Sequence, residues 1–172
     1  DVYKRQTLAG LKKLNTEYLG FLYVGLMISN NEPYLIEFNV RMGDPECQTI
    51  LPLLKSDLGE IILSCCNHSL SSQKIGWSNE KSLCVVLCSN GYPGEYKKNE
   101  IIKNTDNLNL QEGQYLIHAG TKYIDKDLYS YGGRVSNIVV TSNTFENSRK
   151  KALEILDKIN WGNGFYRKDI GY

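Results

Sequence analysis

The stretch LIEFNVR, from residue 35 to residue 41, constrains the fold of this chain more than any other segment because its apolar and polar residues alternate. In a strand, this alternation places three apolar side chains on one face and three polar ones on the other. The polar three are Glu37, Asn39 and Arg41. Residues 18–28 are rich in aromatic and branched side chains, and residues 30–33 supply turn chemistry between the two stretches. The pattern therefore predicts a β-hairpin, with Gly20 and Gly25 marking bulges or close approaches in its first strand.

The polar face of the second strand carries the groups that a metal and phosphate site needs. Neighbouring side chains on one face lie about 6.5 to 7 Å apart, so oxygens of Glu37 and Asn39 can reach one cation between them. Mg²⁺ is the natural candidate, since proteins bind it through one or two side-chain oxygens plus water and phosphate. Arg41 can hold a phosphate or a carboxylate through paired hydrogen bonds. The alternative is a half-exposed edge strand whose polar face only meets water.

The residues that follow favour the functional interpretation. Gly43, Asp44, Pro45 and Glu46 add two carboxylates and a flexible glycine directly after the strand. A loop of this composition can fold back over a ligand. Five functional groups within ten residues exceed what an inert edge strand needs.

The remaining pattern predicts an α+β chain of two domains. Leucines at positions 8, 11 and 14 indicate the end of a helix, and residues 53–66 have the apolar spacing of an amphipathic helix. The serine-rich segment 67–80 has little apolar content and is the best candidate for a boundary. We therefore divide the chain into a first domain, residues 1–70, and a second domain, residues 71–172.

The second domain is predicted to be small and mainly antiparallel, with a C-terminal helix. The unbroken apolar run at residues 83–87 has strand length and should be buried on both faces. Shorter extended stretches, separated by turn signals, follow at residues 115–119, 122–124 and 133–140. Thr144 can cap the final helix. The core stripe of that helix consists of Ala152, Ile155, Leu156 and Ile159.

Charge and cysteine content disfavour several classes of function. The formal net charge is +1, from 20 basic and 19 acidic residues, so no overall field favours nucleic acid or an anionic membrane as a partner. No apolar run approaches the roughly 20 residues that cross a bilayer, and we expect a cytoplasmic protein. The five cysteines include no CxxC pair, and structural thiols fit them better than a zinc site.

A series of motifs resembles one enzyme family. The stretch GFLYVGLMISNNEPYLIEFNVRMGDPE closely resembles the end of the ATP-grasp domain in phosphoribosylamine-glycine ligases, also called glycinamide ribonucleotide synthetases. The motifs LPLLKSDL, SNGYPGEY, IHAGT, GGRVSNIVV and FYRKDIG are similar to the C-terminal region of that family, in order and at familiar spacing. The resemblance runs from about residue 18 to residue 171, and such a series is more specific than any single motif.

The resemblance implies a fold and a reaction. The first domain would be the C-terminal part of an ATP-grasp domain, an antiparallel sheet with a connecting helix, followed by the small β domain. The family uses ATP to phosphorylate the carboxylate of glycine, and the amine of phosphoribosylamine then attacks the acyl phosphate in purine biosynthesis. The implied small-molecule partners are glycine, phosphoribosylamine and ATP, and the implied cofactor is Mg²⁺ or Mn²⁺.

The resemblance also implies roles for individual residues. Glu37 and Asn39 match the metal ligands, and Arg41 would stabilise the transferring phosphoryl group as the catalytic residue. The loop beside the glycine and phosphoribosylamine sites is matched by Gly43, Asp44, Pro45 and Glu46.

In the second domain, the resemblance makes Gly133 and Arg134 the strongest ligand candidates. Glycines expose backbone N–H groups, and an arginine can meet the ribose phosphate. The alternative for this segment is an ordinary hairpin turn with a solvated side chain. His118 is either a polar contact near the cleft or a hydrogen-bonded core residue. Arg167 and Asp169 are predicted to pair at the surface.

Most of the family's ATP site would precede residue 1, so we expect poor ATP binding and no activity without the missing N-terminal part of the same chain. Near Gly25, where many ATP-grasp enzymes carry a further acidic metal ligand, this sequence has none. Two rival interpretations stay open. One is another ATP-grasp carboxylate-amine ligase that shares the Glu-x-Asn-x-Arg strand, and the other is a non-catalytic ligand-binding or interaction module.

Overall fold

The computed structural model describes residues 1–171, which form two compact units. The first unit contains residues 1–47 and 54–77, and the second contains residues 48–53 and the chain from residue 78 onward. The change from one unit to the other at residue 78 lies inside the serine-rich segment, whereas the assignment of residues 48–53 has no signal in the sequence. The division into domains at residue 70 stays a prediction.

The first unit holds one hairpin and two of the four α-helices that the described residues form. Its elements are α1 (Val2–Lys13), β1 (Tyr23–Ser29), β2 (Glu32–Asn39) and α3 (Leu58–Cys66). A short helix, α2 (Glu46–Ile50), spans the junction between the units. Helix α1 begins at Val2, so the polar residues at the start of the sequence are helical. They belong to the helix whose end was predicted from the leucines at positions 8, 11 and 14.

The hairpin turns at Asn30 and Asn31, whose φ angles are 52° and 62°. A two-residue turn with both residues left-handed matches the right-handed twist of paired strands, and asparagine tolerates this conformation. The turn, combined with an irregularity in the pairing, places Tyr23 opposite Asn39 and Gly25 opposite Glu37. The register shifts directly after Gly25, where the sequence predicted a bulge.

Three predicted boundaries are wrong. Strand β1 begins at Tyr23 rather than at residue 18, and β2 ends at Asn39 rather than at residue 41. Helix α3 begins at Leu58 rather than at residue 53, because Asp57 caps it by accepting a hydrogen bond from the Glu60 backbone N–H at 2.9 Å.

The second unit consists of two antiparallel sheets and one long helix. The strands are β3 (Lys81–Ser89), β4 (Glu100–Ile102), β5 (Gln114–His118), β6 (Thr121–Ile124), β7 (Asp127–Ser130), β8 (Arg134–Ser142) and β9 (Gly164–Phe165). The four-stranded sheet has the order β5-β8-β3-β9, and the three-stranded sheet has the order β4-β7-β6. The helix, α4 (Phe145–Leu156), packs against β3 and β8. The predicted α+β class is confirmed.

All buried apolar side chains of the described residues lie in the second unit, between residues 83 and 161. Strand β8 supplies the centre of this core, with Val135, Ile138 and Val140 fully buried. Strand β3 is buried on one face only, since the other face carries half-buried Cys84, Val86 and Cys88. The expectation that this strand is buried on both faces is therefore wrong for one face.

Helix α4 follows its prediction closely. The Thr144 side chain accepts a hydrogen bond from the Asn147 backbone N–H at 3.2 Å, as a cap should. Three residues of the predicted stripe are buried and the fourth, Ile159, packs against the core. Arg167 and Asp169 also form the predicted surface pair. No helix among the described residues has the length and apolar character needed to cross a membrane.

A buried serine ties α4 to both central strands. Ser148 is fully buried, and its Oγ donates to the Lys81 carbonyl oxygen at 2.8 Å. The same Oγ lies 3.0 Å from the hydroxyl of Ser142, near the end of β8. The side chain of Ser148 thus links the helix to β3 and to β8.

We predict that Ser148→Ala lowers the free energy of unfolding by about 1–3 kcal/mol, because the carbonyl oxygen of Lys81 loses this hydrogen bond. Urea unfolding followed by circular dichroism measures the change. The matched control is Lys150→Ala on the exposed side of the same helix, which should stay within about 0.5 kcal/mol of the unsubstituted chain. Equal losses in the two variants would show that the serine contact carries no special weight.

Candidate functional site

The structure brings Glu37 and Asn39 together on one face of the hairpin. Asn39 Nδ2 donates a hydrogen bond to Glu37 Oε1 at 2.8 Å. Glu37 is exposed and Asn39 is half-buried, so neither side chain lies in an apolar interior. Gly25, opposite Glu37, leaves room for this side chain, since a Cβ on Gly25 would lie 3.1 Å from Glu37 Cγ.

Arg41 lies beyond the strand that holds the other two. Its side chain is exposed, and Nη1 donates to the Met42 carbonyl oxygen at 3.0 Å. The strand-face argument for this residue is therefore wrong, because β2 ends at Asn39. The catalytic role of Arg41 stays a prediction.

The loop after β2 folds back onto the hairpin through Glu46. The Tyr23 hydroxyl donates to Glu46 Oε1 at 3.2 Å. A Cβ on buried Gly43 would lie 2.3 Å from Glu46 Oε2, so the glycine gives the carboxylate the space it occupies. Asp44 is exposed and Pro45 is half-buried in the same loop, and the ligand roles of all four loop residues stay predictions.

Tyr23 is a site residue that the sequence reasoning missed. Partial burial raises the pKa of Tyr23, and the nearby carboxylates of Glu46 and, to a smaller extent, Glu37 raise it further. The residue was detectable in principle, because counting back from a two-residue turn at Asn30 and Asn31 and allowing one extra residue for the bulge predicted at Gly25 places it opposite Asn39.

The chemistry of this surface suits a hard cation. Glu37 offers a carboxylate and Asn39 offers an amide oxygen, on a face open to solvent. Within residues 1–171, no three His, Cys, Asp or Glu side chains converge in a metal-binding arrangement. A two-oxygen site of this kind fits Mg²⁺, which keeps several waters and takes further oxygens from substrate phosphates.

A second group of predicted site residues lies at the turn between β7 and β8, where Ser89 holds two consecutive glycines. The Ser89 backbone N–H donates to the Gly133 carbonyl oxygen at 2.8 Å. Its Oγ donates to the Gly132 carbonyl oxygen, also at 2.8 Å. Ser89 is fully buried, so both hydrogen bonds that hold the turn come from a residue inside the fold.

Close packing explains why glycine is needed at this turn. A Cβ on Gly133 would lie 2.1 Å from Cδ2 of the Tyr92 ring, and a Cβ on Gly132 would lie 3.0 Å from the Cα of Gly120. The segment is therefore more tightly packed than an ordinary surface hairpin turn. Ligand binding by this segment stays a prediction.

Arg134 and His118 border this turn and both are exposed. Arg134 opens β8 opposite Cys88, and burial raises the pKa of the Cys88 thiol while the Arg134 charge lowers it. The His118 ring lies 6.4 Å from the Tyr123 ring, centroid to centroid. The interpretation of His118 as a core residue is wrong, because its side chain is exposed at the end of an edge strand.

We predict that Tyr23 ionises above its ordinary value of 10.0 and that Glu46→Gln brings its pKa back down. The sign follows because a neighbouring carboxylate disfavours the phenolate anion, so removing that negative charge makes ionisation easier. The ¹³Cζ shift of Tyr23 followed against pH measures the effect. Glu32→Gln, at the far end of the hairpin, is the control and should leave this titration unchanged. An unchanged pKa in Glu46→Gln would contradict the contact.

Comparisons with known proteins agree on one family. Residues 82–172 match the family model described as phosphoribosylglycinamide synthetase, C domain. Residues 2–47 match the ATP-grasp (A) domain of the same synthetase. The similarity therefore begins earlier than residue 18, where the sequence motifs placed its start.

Individual relatives support the same assignment. The chain is 39% identical over 170 residues to the chloroplastic phosphoribosylamine-glycine ligase of Arabidopsis thaliana, covering 96% of this chain and 32% of the relative. It is 41% identical over 160 residues to the phosphoribosylamine-glycine ligase of Caldanaerobacter subterraneus, covering 93% of this chain and 38% of the relative.

A solved structure gives the same result for the fold. The crystal structure of phosphoribosylamine-glycine ligase from Thermotoga maritima superposes with a TM-score of 0.77 and 34% identity, covering 95% of this chain and 40% of that one. The chain thus spans two fifths or less of the length of these three relatives. Because one family model matches more than half of its residues, the chain belongs to the phosphoribosylglycinamide synthetase family.

Proposed function

We propose that this chain is part of a longer ATP-dependent carbon–nitrogen ligase that joins glycine to 5-phosphoribosylamine in purine biosynthesis. The products are glycinamide ribonucleotide, ADP and phosphate. Within the structure, the observation that carries the proposal is the exposed Glu37–Asn39 pair, with the Glu46 loop folded back beside it. The identity of the two joined substrates is taken from the names of the relatives.

The reaction has two steps. In the first, the bond between the terminal phosphorus of ATP and the ADP oxygen breaks while a new phosphorus–oxygen bond forms to the glycine carboxylate. In the second, the amine nitrogen bonds to the activated carbonyl carbon, phosphate leaves and the nitrogen loses a proton. Both steps need reacting groups held in line and crowded phosphate charge neutralised.

In this proposal Glu37 and Asn39 hold Mg²⁺, or Mn²⁺ in its place. The ion, when bound, neutralises charge on the phosphate oxygens. Arg41 lies two residues beyond Asn39. A guanidinium has five N–H donors, and one of those of Arg41 donates to the Met42 carbonyl oxygen. The remaining donors suit a phosphoryl group or an acyl phosphate.

The loop residues supply contacts to the small substrates. The carboxylates of Asp44 and Glu46 suit the ammonium group of glycine, and Gly43 keeps the space that the Glu46 side chain needs. In the second unit, Arg134 suits the phosphate of phosphoribosylamine, and buried Gly133 holds the turn from which it projects.

The ATP site requires parts of the longer protein. The relatives are two and a half to three times as long as the segments that this chain matches, and the matched ATP-grasp portion is confined to residues 2–47. We therefore expect the chain by itself to bind ATP weakly and to have no ligase activity.

We predict that Glu37→Gln and Asn39→Ala, each made in the full-length protein that carries this chain, lower Mg²⁺-dependent formation of glycinamide ribonucleotide by at least about 100-fold. The reason is that Glu37→Gln removes the negative charge of one metal ligand and Asn39→Ala removes the oxygen of the other. Product formation is measured with all three substrates present, and circular dichroism checks the fold. Glu32→Gln, on the same hairpin but next to the turn, serves as the control. Normal turnover in either test variant would remove the metal assignment, and no turnover in the unsubstituted protein would favour a non-catalytic module.

We predict that Arg134→Gln raises the KM for phosphoribosylamine about 10-fold to 100-fold and leaves the KM values for ATP and glycine within about twofold. The size corresponds to loss of one charge-assisted hydrogen bond. Steady-state kinetics with each substrate varied in turn measure the effect. The matched control is Arg167→Gln, whose guanidinium pairs with Asp169 at the surface. Equal changes for all three substrates would contradict a specific phosphate contact.

A further inference from the structure

A thiol and a thioether are in contact in the loop that follows β2. Cys47 Sγ donates a hydrogen bond to Met42 Sδ, and the two sulfur atoms lie 3.6 Å apart. Both side chains are half-buried, so the pair is partly shielded and still accessible to a small solute. Neither side chain has a role in the proposed ligation, so the sulfur pair is a separate feature of this loop.

The backbone places the two side chains close together. The Cys47 backbone N–H donates to the Gly43 carbonyl oxygen at 2.9 Å, which closes a turn of the chain directly after Met42. Gly43 itself is buried, and helix α2 begins at Glu46, so the fold holds residues at both ends of this turn. The sulfur pair thus exists before any ligand binds.

The direction of the hydrogen bond shows where a cation can bind. Because a thioether has no proton, the thiol proton lies between the two sulfur atoms and faces a lone pair of Met42. A cation that takes the place of this proton meets both sulfur atoms. With sulfur–metal bonds of about 2.3 Å, a separation of 3.6 Å gives an angle of about 100° at the ion, close to the tetrahedral value. The pair can therefore chelate one ion with little movement.

The two donor atoms select a soft ion. Thiolate and thioether sulfur suit Cu(I), whereas Mg²⁺ and Ca²⁺ take oxygen ligands. Zn²⁺ in proteins is bound by cysteine, histidine and carboxylate side chains, so a methionine partner favours Cu(I) over Zn²⁺. The sulfur pair therefore differs in kind from the oxygen donors of Glu37 and Asn39.

We propose that Met42 and Cys47 form a binding site for a Cu(I) ion. As the copper–sulfur bond forms, the Cys47 thiol releases its proton to solvent, and Met42 contributes a lone pair of its thioether. Copper enters and stays as Cu(I), so no electron is transferred. The remaining coordination positions are open to water or to a small thiol, because both side chains are only half-buried.

The chain contains two methionines, which makes a direct test possible. The chain is labelled with ¹³C at the methionine methyl groups and titrated without oxygen, in ascorbate, with Cu(I) buffered by bicinchoninate. We expect the methyl signal of Met42 to shift saturably. Met27, which is 57% exposed on β1, is the internal reference, and its signal should stay in place. A tenfold excess of Zn²⁺ should leave the Met42 signal at its copper-bound position.

Substitutions separate chelation by two sulfur atoms from binding by a single thiol. Cys47→Ser should weaken the response of the Met42 signal at least about 10-fold, because changes even in the partners of metal ligands cost about 10-fold to 100-fold in affinity. Cys66→Ser removes an exposed thiol from the same unit, and as the matched control it should leave the titration unchanged.

Met42→Leu tests the thioether while conserving the volume of the side chain. Circular dichroism checks the fold, and competition with bicinchoninate measures the most tightly held Cu(I). We expect that ion to be held at least about 10-fold more weakly than in the unsubstituted chain. Equal affinities would show that the methionine is not a ligand and would overturn the site.

Two other results would overturn the proposal. One is a Met42 signal that does not move at saturating Cu(I), and the other is an equal response in Cys47→Ser and in the unsubstituted chain. Displacement of the ion by Zn²⁺ would overturn the assignment to copper.

Copper at this site should also disturb ligation, because Cys47 directly follows Glu46, the residue that holds Tyr23. This consequence rests on the proposed function, whereas the binding of Cu(I) does not. In the full-length protein, we expect Cu(I) to lower product formation and Cys47→Ser to relieve that inhibition. A shifted Met42 signal together with a full-length protein that has no ligase activity would sustain the site and overturn the ligase. Ligase activity with an unshifted signal would overturn the site alone.

Discussion

The two-residue turn at Asn30 and Asn31, together with the bulge directly after Gly25, fixes the register of the first hairpin, and the candidate metal face depends on that register. A slip by one residue would send every side chain of a strand to the opposite face. With the observed pairing, Tyr23 faces Asn39 and can hold Glu46, and Gly25 faces Glu37 without crowding it. The left-handed backbone angles that asparagine tolerates thus help to decide which side chains face each other far along both strands.

The second unit differs from the first, because a buried apolar core supports polar groups at its edge. Strand β8 is buried along almost its whole length, and α4 packs across it and β3. From the end of β3, Ser89 fastens the glycine turn that leads to Arg134. Arg134, which is proposed to bind phosphate, is exposed, so its identity can change without disturbing the core.

Local pattern predicted the parts of this chain that depend on neighbours in sequence. Alternation placed Glu37 and Asn39 together, and the apolar stripe with Thr144 at its start predicted α4. The same reasoning extended β2 to Arg41, because alternation continues past the last backbone pair. It also started α3 too early, since the cap at Asp57 was not recognised.

Contacts between distant residues lay beyond sequence reasoning. The hydrogen bond from Ser89 to Gly132 joins residues that are distant in the sequence, and no local spacing predicts it. The distribution of burial is also invisible in the composition, and it has a thermodynamic consequence. Every buried apolar side chain within residues 1–171 belongs to the second unit, so the hairpin with Glu37 and Asn39 has no buried apolar side chain to resist local opening. A ligand that binds only the ordered hairpin raises its stability by mass action, which couples occupancy of the metal face to the folding of the strands that form it.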